Sequence, residues 1–490
     1  MYFIGADLGT SAVKLLLMDE SGDIKKIVTK EYPLSFPKPG WAEQNPMDWW
    51  EATTEGIKTL LSDIDASKVS GIGVCGQMHS LVLLDEKDAV IRPAILWNDS
   101  RTSEQVEYLN HSIGTEKLAS WTANIAFAGF TAPKLLWLKQ HEPDHFSRIN
   151  KIMLPKDYLN FMLTGAHTTD YSDASGTLLL DVQNKCWSRE MLDLCQITQS
   201  QLPSLYESYC VIGTLRSEVA QNLGLSQQVK VVAGAGDNAG SAIGTGTIGR
   251  GKCNISLGTS GTIFISSDRF LTADKQGLHS FAHADGKYHL MGCMLSAASC
   301  NKWFMDEILG IRDYADFQSN ISLDKLGKNT VFFLPYLMGE RSPINDTNAR
   351  GTFLGMTMDT TKEDLLLSVL EGVSFAIRDN FEAAKKSGIT VTQSNICGGG
   401  AKSPLWKTIL SNVLGIPLDI VKTEQGPGFG GAILAAVGCG AYASVEEACN
   451  ELVSVVEQVR PEKSLVKLYE EKYQKFAEIY PSLKNVFRNL

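Results

Sequence analysis

The chain writes the same small hairpin twice. Residues 3–18 read F-I-G-A-D-L-G-T-S-A-V-K-L-L-L-M: a strand-like run ends in an acid, turns through Gly9-Thr10-Ser11 and resumes as a second apolar run. Asn254–Ile265 reads N-I-S-L-G-T-S-G-T-I-F-I, two β-rich runs around a second Gly-Thr-Ser turn. The surroundings repeat as well. The first copy opens a meander (2–8, 12–19, a Glu20-Ser21-Gly22-Asp23 turn, 24–31), followed by a helix from Asn45-Pro46 to about Leu61. Strands are predicted at 69–75, 80–84, 94–97 and 230–235. The second copy opens at 253–266 and leads to strands at 288–292 and 393–397 and helices at 298–309, 362–385 and 403–414. Hairpin first, then alternating strands and helices, is the layout of an internal duplication: two α/β domains around a central cleft. A length of 490 residues suits two cores rather than one. The expected domains are 1–245 and 246–490, parted in the glycine-rich 240–252.

Composition narrows the partners. Net charge is −10 with no block of Lys or Arg, which disfavours nucleic acid and anionic membranes. The ten cysteines are scattered, never C-x-x-C, as free thiols of a reducing compartment are. The N-terminus enters a strand at once, with no basic leader or cleavage site, so a cytoplasmic protein is expected. Gln425–Val445 has no charged residue, but its glycines and alanines are too weakly apolar to span a bilayer. It reads as a tight turn and a closely packed helix.

A turn of Gly, Thr and Ser presents backbone N–H groups and hydroxyls with little steric cover, which suits a phosphate; the bland alternative is a hairpin with a polar tip. Lys14 can add a positive charge beside Thr10 and Ser11. An acid beside a phosphate turn is unfavourable unless a cation lies between them, so Asp7 points to Mg2+. The second copy has Ser256 in the matching place. A third glycine-rich turn, Cys397-Gly-Gly-Gly-Ala-Lys402, follows a short strand and opens a helix, a place for a nucleotide to lie on backbone.

Val231–Gly240, V-V-A-G-A-G-D-N-A-G, brings Asp237 to the end of a buried strand, as a general base or as a helix N-cap. Gly76-Gln77-Met78-His79 follows another buried strand, where small ligands bind in open α/β sheets. Gln77 and His79 can bond sugar hydroxyls while Met78 packs on carbons; a structural histidine is the alternative. His279 and His283 lack a third metal ligand. Gly244–Gly249 fits G-x-G-x-x-G, but a helical stretch precedes it and a strand follows, the reverse of a dinucleotide site. Gly246–Cys253 similarly lacks the final Ser/Thr and the helix of a P-loop.

Taken together these stretches resemble the FGGY family of carbohydrate kinases, within the RNase H-like, actin-like/sugar-kinase ATPase fold. The likeness runs from G-A-D-L-G-T-S through I-S-L-G-T-S-G to G-P-G-F-G-G-A-I-L-A-A at 426–436. Within the family it is strongest to the xylulokinase branch: G-W-A-E-Q-N-P-M-D-W-W, G-Q-M-H, G-F-T-A-P-K-L-L-W, L-P-K-D-Y-L, S-D-A-S-G-T and F-L-P-Y-L-M-G-E-R-S-P. The resemblance implies ATP as phosphoryl donor, Mg2+, and D-xylulose as acceptor. It implies Asp237 as catalytic base, Asp7 as the acid that organises the metal, and Met78, His79, Asn238 and Trp97 as sugar contacts. Thr10, Ser11 and Lys14 match the first phosphate motif, Gly258 and Thr259 the second, and Gly399, Gly400, Ala401 and Ser403 the adenosine motif. Two hairpins would thus hold one ATP, and only one needs the metal. A homodimer is the family's habit. Ser80 departs from the glycine common at that place, as do Ala12 and, for threonine, Ser342; Ser80 lies nearest the sugar. Gluconate, L-ribulose or another polyol is the alternative acceptor. A non-catalytic sugar- and nucleotide-binding regulator is the alternative class, and a dehydrogenase would rest on G-T-G-T-I-G alone.

Overall fold

The protein is described here by a computed structural model covering residues 1–273, 275 and 277–490. It divides into two compact units: Met1–Ile248 with Ser280–Tyr288 and Gln425–Val453, and Gly249–His279 with His289–Glu424 and Ser454–Leu490. The family-like halves are therefore not contiguous. Two late segments fold with the first unit, against the expectation of 246–490 as one body.

The first unit is built on strands β1 (Tyr2–Leu8), β2 (Ala12–Asp19), β3 (Ile24–Glu31), β4 (Val69–Gly76), β5 (Val211–Thr214) and β6 (Lys230–Gly236), in the order β5-β6-β4-β1-β2-β3. β1, β4 and β6 run parallel, and β2 returns antiparallel to β1. The central strands are apolar on both faces, as a sheet covered by helices requires, whereas edge strand β3 alternates half-buried and exposed. Helix α1 (Pro46–Leu61) starts where its sequence says: Asn45 accepts from the Met47 N–H at 3.2 Å, and Trp49, Ile57 and Leu60 enter the core. Helices α2 (Thr131–His141), α3 (Pro155–Thr164) and α4 (Asp237–Gly244) complete the elements that matter for the site.

The second unit repeats the device. Strands β7 (Lys252–Leu257) and β8 (Gly261–Ser267) form a hairpin, β9 is Tyr288–Met294, and β10 (Gln393–Cys397) runs parallel beside β7. β11 (Leu418–Val421) and β12 (Val455–Val459) follow on the far side, and helix α5 (Pro404–Leu414) opens after β10. The helix expected at 298–309 is an α-turn over Ala298–Trp303 that widens to a π-type turn over Phe304–Ile308. The strand expected at 80–84 shortens to Val82–Leu84, because His79 at φ 70° and a bond from the Ser80 N–H to the Met78 carbonyl curl the chain first.

The uncharged stretch becomes helix α6 (Gly426–Cys439), and among the described residues no helix is long and apolar enough to cross a membrane. Its glycines have a steric purpose. A Cβ on Gly5 would lie 1.9 Å from the Gly428 carbonyl oxygen, and one on Gly73 2.1 Å from that of Gly431. On the other side, a Cβ on Gly430 would lie 1.9 Å from the Gly240 oxygen, and one on Gly244 2.1 Å from the Gly426 oxygen. Backbone lies on backbone, between β1 and β4 on one side and α4 on the other. That is why the segment leaves its sequence neighbours for the first unit. Gly73→Ala should cost about 3 kcal/mol or prevent folding, as overpacking against rigid main chain does. Gly399→Ala, whose Cβ meets nothing within 4 Å, should leave thermal unfolding unchanged.

Candidate active site

Three neighbouring parallel strands deliver the candidate residues to one edge. Leu8 is in register with Gly76, and Gly76 with Gly236, so Asp7, the Gln77-Met78-His79 loop and Asp237-Asn238 all emerge at the C-terminal ends of β1, β4 and β6. A bulge aids the last of these: Gly234, at φ 74°, lies so close to the Val74 carbonyl that a Cβ would sit 1.8 Å from it. An extra residue there re-aims the strand end that carries Asp237.

The turn after Asp7 is tied down through its carbonyls. Tyr32 donates its hydroxyl to the Gly9 oxygen and its N–H to the Ser11 oxygen, and Gln44 Nε2 donates to the Thr10 oxygen at 2.6 Å. Gln77 Nε2 donates to the Gly9 oxygen at 3.4 Å, and the Thr10 hydroxyl donates to Gln77 Oε1 at 3.5 Å. Gln77 is 1% exposed. Its amide thus braces the turn, whereas the sequence suggests a bond to a sugar hydroxyl. Ser11 remains exposed, and Lys14 faces Asp7 across the β1–β2 pair.

The two acids are held against their ordinary state. Burial pushes Asp7 up to about 6, with Lys14 opposing. Burial first, and the nearby Asp7 charge second, push Asp237 up to about 7, although Asn238 donates both its N–H, at 2.7 Å, and its amide, at 2.9 Å, to Asp237 Oδ1. A carboxylate poised near neutrality at a strand end is suited to taking and returning a proton.

Met78, His79, Asn238 and Trp97 frame the adjacent surface. Met78 lies against Gly236, and Asn238 Nδ2 approaches its sulfur at 4.0 Å. His79 Nδ1 is 2.7 Å from the Gly176 oxygen, and its ring packs against Phe130, tilted by 32° with centroids 4.7 Å apart. The His79 carbonyl accepts from the Thr131 hydroxyl at 3.0 Å and from Lys134 Nζ at 2.9 Å. Lys134 is fully buried, which pushes it down to about 7. Ser80, also fully buried, takes the Trp97 N–H at 3.1 Å, and the Trp97 indole donates to the Thr10 hydroxyl at 2.9 Å.

Behind this surface lies a cluster that the sequence did not disclose. Lys156 Nζ, wholly buried, is 2.6 Å from Asp157, 2.9 Å from Asp170 and 3.6 Å from Asp173, all equally buried. Burial works against the Lys156 charge, but the three carboxylates hold its pKa above the usual lysine range; burial drives Asp173 well up despite Lys156. Asp170 also accepts from Ser172 and Ser208, and the Ser172 hydroxyl accepts from the Gly236 N–H at 3.2 Å. Asn160 Nδ2 holds the Ala233 oxygen at 2.9 Å. The cluster thus anchors the strand end from which Asp237 departs. The visible signal was charged Lys156-Asp157 inside an otherwise apolar I-M-L-P-K-D-Y-L run.

In the second unit, the turns after β7 and β10 leave adjacent parallel strands, with Ser256 in register with Cys397. The Gly258 oxygen accepts from the Ala298 N–H at 2.8 Å and the Thr259 oxygen from the Ser299 hydroxyl at 2.7 Å, leaving the Thr259 and Ser260 side chains exposed. Gly398, at φ 88°, packs on Leu257 backbone, whereas Gly399 is open. Ala401 is half-buried in the same turn. Ser403 behaves differently from the expectation of a nucleotide contact. Its hydroxyl caps α5, accepting from the Trp406 N–H at 3.1 Å, and donates to Gln318 at 2.6 Å. His279 and His283 belong to no group of three or more metal-binding side chains among the described residues.

Comparison with known proteins identifies the family. The N-terminal domain profile of the FGGY family of carbohydrate kinases matches residues 2–244, and its C-terminal domain profile matches 253–439. The chain belongs to the FGGY family. The xylulose kinase of Escherichia coli K12 is 38% identical over 98% of this chain and 99% of its own length. Among solved structures, a ligand-bound xylulose kinase of Lactobacillus acidophilus superposes with a TM-score of 0.94 at 28% identity, covering 100% of this chain and 99% of that one. A gluconate kinase of the same organism gives 0.93 at 29% identity, covering 98% of each.

The raised carboxyls of this FGGY chain predict an unusual stability profile. A folded-state pKa above the unfolded value contributes stability that is full in acid and lost as pH rises through about 7 for Asp237 and about 6 for Asp7. Asp237→Asn keeps the acceptor for Asn238 and removes the buried charge. It should therefore raise stability by about 1–3 kcal/mol at pH 8 and by nothing at pH 4, as read from unfolding curves at both.

Proposed function

We propose that this chain transfers the γ-phosphoryl group of ATP to the terminal hydroxyl of D-xylulose, giving D-xylulose 5-phosphate. The observation that carries the reading is the position of Asp237, a carboxyl tuned to about 7 with Asp7 and the Thr10-Ser11 turn nearby and Met78, His79 and Asn238 beside it. On this reading Asp237 accepts the proton of the attacking hydroxyl, and Asn238 and His79 orient the sugar. Met78 packs against its carbons. Thr10, Ser11 and Lys14 bind phosphate, with Gln77 as the brace beneath them. In the second unit, Gly258, Thr259, Gly399, Gly400 and Ala401 offer backbone to the nucleotide, while Ser403 shapes the turn from its cap position. Phosphoryl transfer leaves little covalent work to protein, so positioning and charge neutralisation carry the rate.

Magnesium fits the donor set in one way only. Among the described residues no cluster of three acidic, histidine or cysteine side chains could cage an ion. A single half-buried carboxylate, Asp7, is what a cation held mainly by phosphate oxygens and water needs. Bound there, the ion would neutralise charge on the transferring phosphate. The choice of D-xylulose draws on 38% identity to the E. coli xylulose kinase over nearly the whole chain. Gluconate is the second reading, because a gluconate kinase shares the fold almost equally well and Ser80 departs beside the sugar loop. The buried, disulfide-free thiols of Cys75, Cys195, Cys253 and Cys300 support placement in the cytosol.

ADP release from Mg-ATP, measured against D-xylulose, L-ribulose, D-gluconate, glycerol and no sugar, tests the proposal. D-xylulose should stimulate well above the others; a preference for gluconate moves the acceptor, and no stimulation by any sugar removes the kinase reading. Asp237→Asn should lower kcat by about 10²–10⁴-fold with ATP still bound. Because the base must be ionised, kcat/KM should rise with pH up to about 7 and then level. Asp7→Ala should sharply raise the magnesium concentration needed for half-maximal rate.

A further inference from the structure

Trp97 closes a ring of hydrogen bonds around the proposed site. Its backbone N–H donates to the Ser80 hydroxyl at 3.1 Å, in the loop that carries Met78 and His79. Its indole N–H donates to the Thr10 hydroxyl at 2.9 Å, in the turn after Asp7. Thr10 donates onward to Gln77 at 3.5 Å, immediately before Met78. The backbone of Trp97 is fixed from the other side too. A Cβ on Gly129 would lie 2.6 Å from the Trp97 carbonyl, and the Gly129 carbonyl accepts from Lys134 Nζ at 2.6 Å, the same ammonium that holds His79. Yet the residue is 44% exposed. The indole is not kept in place to fill a core. The one polar atom of its side chain is committed to a hydroxyl of the phosphate turn.

We propose that Trp97 is a positioning residue that couples the sugar loop to the phosphate turn, rather than a sugar contact alone. The inference rests on the kinase reading above. A sugar seated against His79 and Asn238 restrains the half-exposed indole, and the indole restrains the Thr10 hydroxyl and the turn around it. Ser80 then has a stated purpose. Fully buried, it does not touch the sugar; it supplies the acceptor for the Trp97 N–H that a glycine would lack. The departure at residue 80 acts on how firmly Trp97 is held.

Coupling of this kind is reciprocal: sugar must tighten nucleotide binding by the same factor as nucleotide tightens sugar. A single neutral hydrogen bond accounts for a factor of about five. The test is calorimetric titration of a non-hydrolysable ATP analogue with magnesium, with and without saturating D-xylulose. Native protein should show tightening of about fivefold or more, and Trp97→Phe, which keeps a ring and loses the N–H, should bring the factor to about one. A merely structural role would weaken both affinities and leave their ratio alone. Ser80→Ala should lower the factor as well, and it decides the question if Trp97→Phe does not fold. A folded Trp97→Phe or Ser80→Ala protein with the native factor overturns the proposal, as does a native factor of one. Native protein that binds neither ligand refutes the kinase reading itself, and this inference with it.

Discussion

Main chain packed on main chain, between α6 and the sheet of the first unit, is the constraint on which the rest depends. Four glycine contacts near 2 Å for a notional Cβ leave no room for any side chain along two faces of one helix. The β1 and β4 strands on one face and α4 on the other are therefore held at a fixed spacing by the least compressible atoms in the protein. Those elements carry Asp7, Gln77 and Asp237. Cys75 lies in the same layer, its sulfur 2.5 Å from where a Gly240 Cβ would be. Precision at the site thus begins behind it, in a segment with no chemistry of its own.

That rigidity is needed because the site is electrostatically costly. Burial raises both Asp7 and Asp237, the Asp7 charge raises Asp237 further, and Asp237 in turn raises Asp173 in a buried cluster where one lysine serves three carboxyls. A soft scaffold would relieve such strain by letting water in or by moving the strand ends apart. Here the Asp170–Ser172–Gly236 chain and the Asn160 bond to Ala233 pin the strand that leads to Asp237. Buried charge clusters are weak evidence for stability, but breaking one partner is expensive, and that expense makes them good anchors.

Much of this was legible in the sequence, and the reasons differ by residue. Both hairpins, α1 with its Asn45 cap, and the strand ends at Gly76 and Gly236 carry local signals: alternation, capping and glycine at turns. The unusual composition of Gln425–Val445 announced a tightly packed helix, although nothing local says which sheet it packs on, since that depends on glycines hundreds of positions away such as Gly5 and Gly73. Gln77 and Ser403 stand in motifs whose neighbours invite a ligand-binding reading. Whether a polar side chain faces outward or is spent on its own turn is decided by partners distant in sequence: Gln44 and Gly9 for one, Gln318 for the other. Lys134 and Lys156 are hidden in the sequence for the same reason. A lysine reads as surface until the fold shows carbonyls or carboxylates closing on it.

The duplication also shows what a shared scaffold leaves free. In each unit a tight hairpin is flanked by a parallel strand in matching register, Leu8 beside Gly76 in the first and Ser256 beside Cys397 in the second. The backbone of a Gly-Thr-Ser turn is therefore offered twice by the same topology, and what differs is the residue that enters it and the loop on the neighbouring strand. Asp7 precedes the first turn, and the adjacent loop supplies Gln77, Met78 and His79. Ser256 precedes the second, and the adjacent loop is bare glycine. On the proposed reading this division is enforced by charge. A carboxylate in place of Ser256 would repel a phosphate at the second turn unless a cation offset it. A side chain on Gly398 would strike the Leu257 backbone at 2.7 Å, whereas Gly399 stands open. One copy therefore sets an acid and polar side chains beside its turn, while the other is held to backbone donors and open space.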